Sequence, residues 1–141
     1  MATTLMWIAV ITVTATTTFG LLTRRLVLVT VNGVSMAPTY SPGDRLLVWR
    51  TQRPGRGKVV VIEPPPGPWS ETSTDRWLIK RVDAIAGDPL PLPAARGGAA
   101  AATVPTGMLY LLGDNRARSM DSRHLGLFST RQLLGTVCCR I

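Results

Sequence analysis

A chain of 141 residues carrying a formal charge of +8 is long enough for one domain and little more. The excess charge comes mainly from arginines scattered singly; Lys58 and Lys80 are the only lysines, and no basic run interleaves with aromatics. That pattern argues against a nucleic-acid partner, and attraction to an anionic lipid surface accounts for the charge instead. Residues 5–22, LMWIAVITVTATTTFGLL, contain no charge and end at Thr23-Arg24-Arg25. The length is at the lower edge of what crosses a bilayer, and five threonines dilute the apolar character. A cleaved leader would carry basic residues ahead of the apolar run, and here none precede it, so the spacing predicts an uncleaved anchor over residues 1–24. The positive-inside rule alone would leave Arg24 and Arg25 in the cytoplasm.

From residue 25 to 141 the pattern is that of strands. Eleven prolines and thirteen glycines spread along the chain favour short strands and turns. LVLVTV (26–31) is rich in branched residues, and GDRLLVWR (43–50) leaves a Pro-Gly turn. GKVVVIE (57–63) runs into a proline cluster that no central strand accommodates. WLIKRVDAIAG (77–87), MLYLLGDN (108–115) and LLGTVCCRI (133–141) complete the set. A polar loop at 69–76 and a low-complexity stretch at 89–107 connect them. The expected fold is all-β, an antiparallel sheet domain behind one N-terminal helix. Cys138 and Cys139 are adjacent, lack metal-ligand spacing and are expected to pack in the interior. With one histidine and no suitable cysteine spacing, neither a metal site nor a cofactor is expected.

Three stretches carry possible chemistry. NGVSMAPT (32–39) places Ser35 between a glycine turn and a proline, with Met36 beside it. In WLIKRVDA, alternation puts Lys80 on a face with Leu78, Val82 and Ala84. Such a lysine either snorkels to water or is drawn into the apolar face, where desolvation lowers its pKa and frees the amine to act as a base. In LLGDNRARSMDSRHLG (111–126), Ser119, Asp121 and Arg123 fall on one face if the segment is extended, and Asp121 and Arg123 could pair. On spacing alone a solvated loop explains this segment equally well. His124 is a rival base for Ser35, without an acidic partner at a telling spacing.

Taken together, the stretches resemble the type I signal peptidases, the serine–lysine membrane proteases. VNGVSMAPT resembles the nucleophile box, SPGDRLLV the next, IKRVDAIAGD the lysine box and LLGDNRARSMDSRHLG the last, in the family's order. The resemblance implies a serine endopeptidase that removes signal peptides from exported precursors, with small residues at their −1 and −3 positions. It implies Ser35 as nucleophile and Lys80 as general base. Ser119 would orient the amine, Asp121 and Arg123 would stiffen the last box, Met36 would line the cleft, and the Ser35 backbone N–H would bind the oxyanion. It also implies a single-pass protein of the cell membrane with its catalytic domain outside the cytoplasm, against the positive-inside count. Some members carry an oxyanion-hole serine at the position of Gly33; the glycine here resembles the Gram-positive and mitochondrial inner-membrane branches, and Tyr40 stands where leucine is common. A maturation protease dedicated to one secreted precursor, or an inactive anchored module that binds peptides, fits the same boxes. Self-cleaving regulators that pair serine with lysine would need a DNA-binding region, and residues 1–25 contain no helix-turn-helix pattern.

Overall fold

The computed structural model describes residues 2–23, 25–66, 76–91 and 103–141. The expected loop at 69–76 and most of the stretch at 89–107 lie outside them. Helix α1 covers Ala2–Thr23. Its middle presents exposed apolar side chains, among them Trp7, Ile8, Ile11 and Val13. Among the described residues no helix is long and apolar enough to cross a membrane. The threonines lower the hydropathy, but their hydroxyls donate back along the helix, Thr12 to the Ile8 carbonyl at 2.6 Å and Thr17 to that of Val13 at 2.7 Å.

The remainder is an antiparallel sheet. Its strands are β1 (Leu26–Thr30), β2 (Arg45–Trp49), β3 (Val59–Ile62), β4 (Leu78–Ala84), β5 (Met108–Leu112), β6 (Phe128–Ser129) and β7 (Leu133–Arg140). They lie in the order β1-β2-β7-β3-β4-β5-β6. The six expected strands all form, shortened at their ends where turn residues take over. The two-residue β6, the one-turn helix α2 (Ser122–Leu125) and the 3-10 turns at Arg116–Arg118 and Thr130–Gln132 had no sequence signal. All four residues of β3 are buried, so both faces of the sheet's middle are covered. One core gathers Val29, Met36, Leu46, Val48, Val61 and Ile79. The other gathers Val60, Ile62, Leu78, Val82, Leu111 and Phe128.

The cysteine expectation fails. Both thiols are exposed. Val137 pairs with Val48, yet Cys139 pairs with Leu47, so Cys138 is an extra residue that breaks the alternation of β7. Val137 packs on the first core while both cysteines are left at the surface.

Gly135 marks where β7 is tightest. A Cβ there would overlap the Trp49 carbonyl and lie 3.0 Å from the Arg50 Cα, which are backbone atoms that cannot step aside. Gly135→Ala should therefore destabilise the domain by about 1–3 kcal/mol, read as a fall of several degrees in Tm by circular dichroism.

Candidate active site

Ser35 sits in the turn that follows β1. Its loop is closed by Ala37 N–H donating to the Val34 carbonyl at 3.2 Å and Tyr40 N–H to that of Met36 at 3.0 Å. Met36 is 1% exposed and pins the loop to the first core. Lys80 lies in β4 opposite Val60, on the face of Leu78 and Val82, where the alternation of the sequence put it. It is 3% exposed. Its Nζ donates to Ser35 Oγ at 2.9 Å. The lysine has therefore been drawn in, not left to snorkel.

The two residues lie 45 positions apart and are brought together by the turn after β5. Asn115 N–H donates to the Ser35 carbonyl at 2.9 Å, and Asn115 Nδ2 to that of Val34 at 3.2 Å. Beside it, the Asp114 carboxylate accepts two bonds from the Arg81 guanidinium, at 2.8 and 2.6 Å, and one from the Thr39 hydroxyl. Arg81 follows Lys80 in β4 and Thr39 follows Ser35 in its loop, so one carboxylate ties together the two strands of chemistry. The Arg81 bonds hold the Asp114 carboxyl below the usual carboxylate range despite partial burial, and Asp114 in turn raises the Arg81 pKa. Asp114, Asn115, Thr39 and the partnership of Arg81 were not legible in the sequence. In an extended strand Arg81 shares a face with Asp83, and Gly113-Asp114-Asn115 is a turn signal, so neither local pattern points to this contact.

Ser119, Asp121 and Arg123 do meet, though not on an extended face. Residues 116–118 form a single 3-10 turn, and Asp121 caps α2 by accepting from the Arg123 N–H at 3.2 Å. The Asp121 carboxylate, fully buried, also accepts from Arg123 Nε at 2.9 Å and from the Gly113 N–H at 3.0 Å. Burial pushes its pKa up, but Arg123, the Gly113 N–H and the nearby Ser119 hydroxyl outweigh it and hold the group at about 2. The Ser119 Oγ is itself buried, with no partner of full hydrogen-bond geometry among the described residues. Gly113 is what brings it near: a Cβ there would overlap Ser119 Oγ and lie 2.6 Å from the Ser35 carbonyl. Ser122, unremarked in the sequence, accepts the Leu111 N–H at 2.8 Å and so fastens α2 to β5. His124 is half exposed with its Nδ1 3.9 Å from Asp121, and it makes no contact with Ser35.

A cleft of about 80 Å³ opens over the pair. Its walls are Val29–Gly33 on one side and Trp77–Lys80 on the other, with Met36 below. The Ser35 N–H donates to nothing among the described residues, which leaves a donor free beside the hydroxyl. A Cβ at Gly33 would meet open space, so no side chain there supplies a second donor. The described residues include no cluster of three or more groups able to hold a metal ion.

A buried amine bonded to a serine hydroxyl, next to a free backbone donor in a narrow cleft, is an arrangement that can activate a serine as a nucleophile. A family model described as "Signal peptidase, peptidase S26" matches residues 3–96 and 91–141. The chain belongs to this family. It is 32% identical over 117 residues to the mitochondrial ATP-independent inner membrane protease subunit 1b of Arabidopsis thaliana, covering 77% of this chain and 66% of that one. It is 28% identical over 139 residues to a signal peptidase I of Bacillus licheniformis, covering 75% and 71% respectively. The chain thus spans about two thirds of these relatives' length. A solved signal peptidase I from Enterococcus faecalis V583 matches with a TM-score of 0.43 at 22% identity, covering 61% of this chain and 97% of that one.

The depressed Asp121 carboxyl predicts a specific acid sensitivity. Its folded pKa lies below the unfolded value near 3.9, so its contribution to stability is present above about pH 4 and disappears as pH falls towards 2. Asp121→Asn should lack this contribution of about 2 kcal/mol. In urea unfolding at pH 5 and pH 2.5, the wild type should lose markedly more stability than the variant.

Proposed function

We propose that this chain is a membrane-anchored serine endopeptidase that removes N-terminal signal peptides from exported precursors with a Ser35–Lys80 dyad. The observation that carries the reading is the 2.9 Å contact between the buried Lys80 amine and the Ser35 hydroxyl. Desolvation disfavours the ammonium, and a neutral amine at that distance can take the hydroxyl proton as Ser35 attacks the scissile carbonyl. The Ser35 N–H then meets the developing oxyanion, a bond that forms with charge in the transition state. The Lys80 ammonium returns its proton to the leaving amine. An acyl-enzyme on Ser35 remains, and water activated by the same amine hydrolyses it. Ser119, Asp121 and Arg123 act as positioning residues, through the packing of Ser119 on Gly113.

The substrate reading rests on shape. Strand β1 is at the sheet's edge, pairing with β2 alone, so an extended peptide can add beside it and lie between Val29–Gly33 and Trp77–Lys80. The narrow volume over Met36 favours side chains of alanine size at the −1 and −3 positions. The domain division follows the sequence reading, with an anchor at 1–24 and a peptidase domain at 25–141. The hydroxyls of Thr12, Thr14, Thr16 and Thr17 are satisfied within α1, as a lipid environment demands. Confinement to the precursor's own membrane would raise the effective substrate concentration. The catalytic domain would then lie on the extracytoplasmic side.

Ser35→Ala and Lys80→Ala should each lower kcat on a peptide with an Ala-x-Ala cleavage site by roughly a thousandfold or more. His124→Ala should stay within a fewfold of wild type. Cleavage by Lys80→Ala at the wild-type rate would overturn the dyad. Full retention of function by Ser35→Ala would favour a peptide-binding module instead.

A further inference from the structure

Two grooves run up to the border of the catalytic cleft and hold arginines that peptide cleavage leaves without a role. One, of about 530 Å³, is lined by Arg25, Arg50, Arg53 and Trp49, with Leu133 and Leu134. The other, of about 440 Å³, is lined by Arg50, Arg76, Trp77 and the edge of β1. They share Arg50 and Leu134 and so adjoin, and neither has an acidic residue in its lining. None of these four arginines forms an ion pair among the described residues. The Arg76 guanidinium lies over the Trp77 ring, 5.5 Å from its centre. The backbones of Arg25 and Arg50 are joined by a 2.8 Å hydrogen bond, which fixes where both side chains emerge. Arg25 stands two residues after the end of α1.

Guanidinium groups bind phosphate oxygens through paired N–H donors, and tryptophan favours the membrane–water boundary. Arginines and tryptophans together, with no carboxylate, at the point where the chain leaves α1, describe a headgroup site. We propose that the adjoining grooves bind the phosphodiester headgroups of anionic phospholipids in the bilayer that holds α1, an inference that rests on the anchor reading above. An acidic segment of a precursor would meet the same charge, but it has no reason to gather at the anchor's exit. Trp77 walls both the second groove and the catalytic cleft, so a lipid seated there would set the cleft at headgroup depth, where a membrane-borne precursor presents its cleavage site. The site also accounts for the cationic flank that the positive-inside rule would have assigned to the cytoplasm.

The test uses the full chain in a neutral maltoside detergent, titrated calorimetrically with dihexanoylphosphatidylglycerol below its micelle concentration. The comparators are dihexanoylphosphatidylcholine, inorganic phosphate and a glutamate-rich peptide. Saturable binding of the phosphatidylglycerol, weakened roughly tenfold or more by Arg50→Gln with Arg53→Gln, is expected, while cleavage of a short soluble peptide and the melting curve stay unchanged. Each single substitution should give a smaller loss in the same direction. Equal binding of the two lipids, undiminished binding by the double variant, or tighter binding of the acidic peptide or of free phosphate would overturn the proposal. Ser35→Ala should bind the lipid as wild type does, so loss of the protease reading and loss of this one are separate results. Carbonate extraction of the chain from vesicles tests the anchor on its own.

Discussion

The arrangement depends on a carboxylate that does no chemistry. Asp114 holds the guanidinium next to Lys80 and the hydroxyl four residues beyond Ser35. Without it, the loop and β4 would be held by the amine–hydroxyl bond and by the packing of Met36 in the core that contains Ile79, neither of which orients the loop as a charged bond does. Two charge-assisted bonds in a partly desolvated setting are stiffer than neutral ones. They would let Ser35 and Lys80 exchange a proton, as the proposed mechanism requires, without loss of geometry, because that geometry is enforced elsewhere.

Behind this lies a second acidic group with a different task. Asp121 faces inward, caps α2, and grips the Gly113 N–H and the Arg123 guanidinium. Its charge is stabilised so well that it stays ionised at any ordinary pH. The two carboxylates divide the labour: Asp114 fixes the loop to the strand, and Asp121 fixes the turn to the helix. Both act through the short segment from Gly113 to Asn115.

Much of the fold was legible in the sequence, because branched runs bounded by prolines and glycines are unambiguous signals for strands. Alternation put Lys80 on an apolar face but left open whether it snorkels, and the expectation that it meets Ser35 came from the family resemblance. What stayed hidden depends on distance along the chain. Thr39 and Asp114 are 75 positions apart, and no local pattern joins them. The exposure of Cys138 and Cys139 was misread because a bulge leaves no compositional trace, and the spacing of Ser119, Asp121 and Arg123 supposed an extended segment where a 3-10 turn and α2 stand. The lipid-facing role assigned to scattered arginines drew on their number, and only folding showed that four of them converge.

The absence of a side chain at Gly113 reaches beyond packing. The backbone carbonyl of Ser35 and the side chain of Ser119 close on this residue to within a methyl group's width. The entropy of assembling them is therefore lost when the chain folds, not when substrate arrives. In the proposed reaction, turnover would begin from a site whose dipoles already point at the scissile bond, and little solvent or backbone would have to reorganise as charge develops. A residue without a side chain would thus lower the reorganisation energy of the step it adjoins.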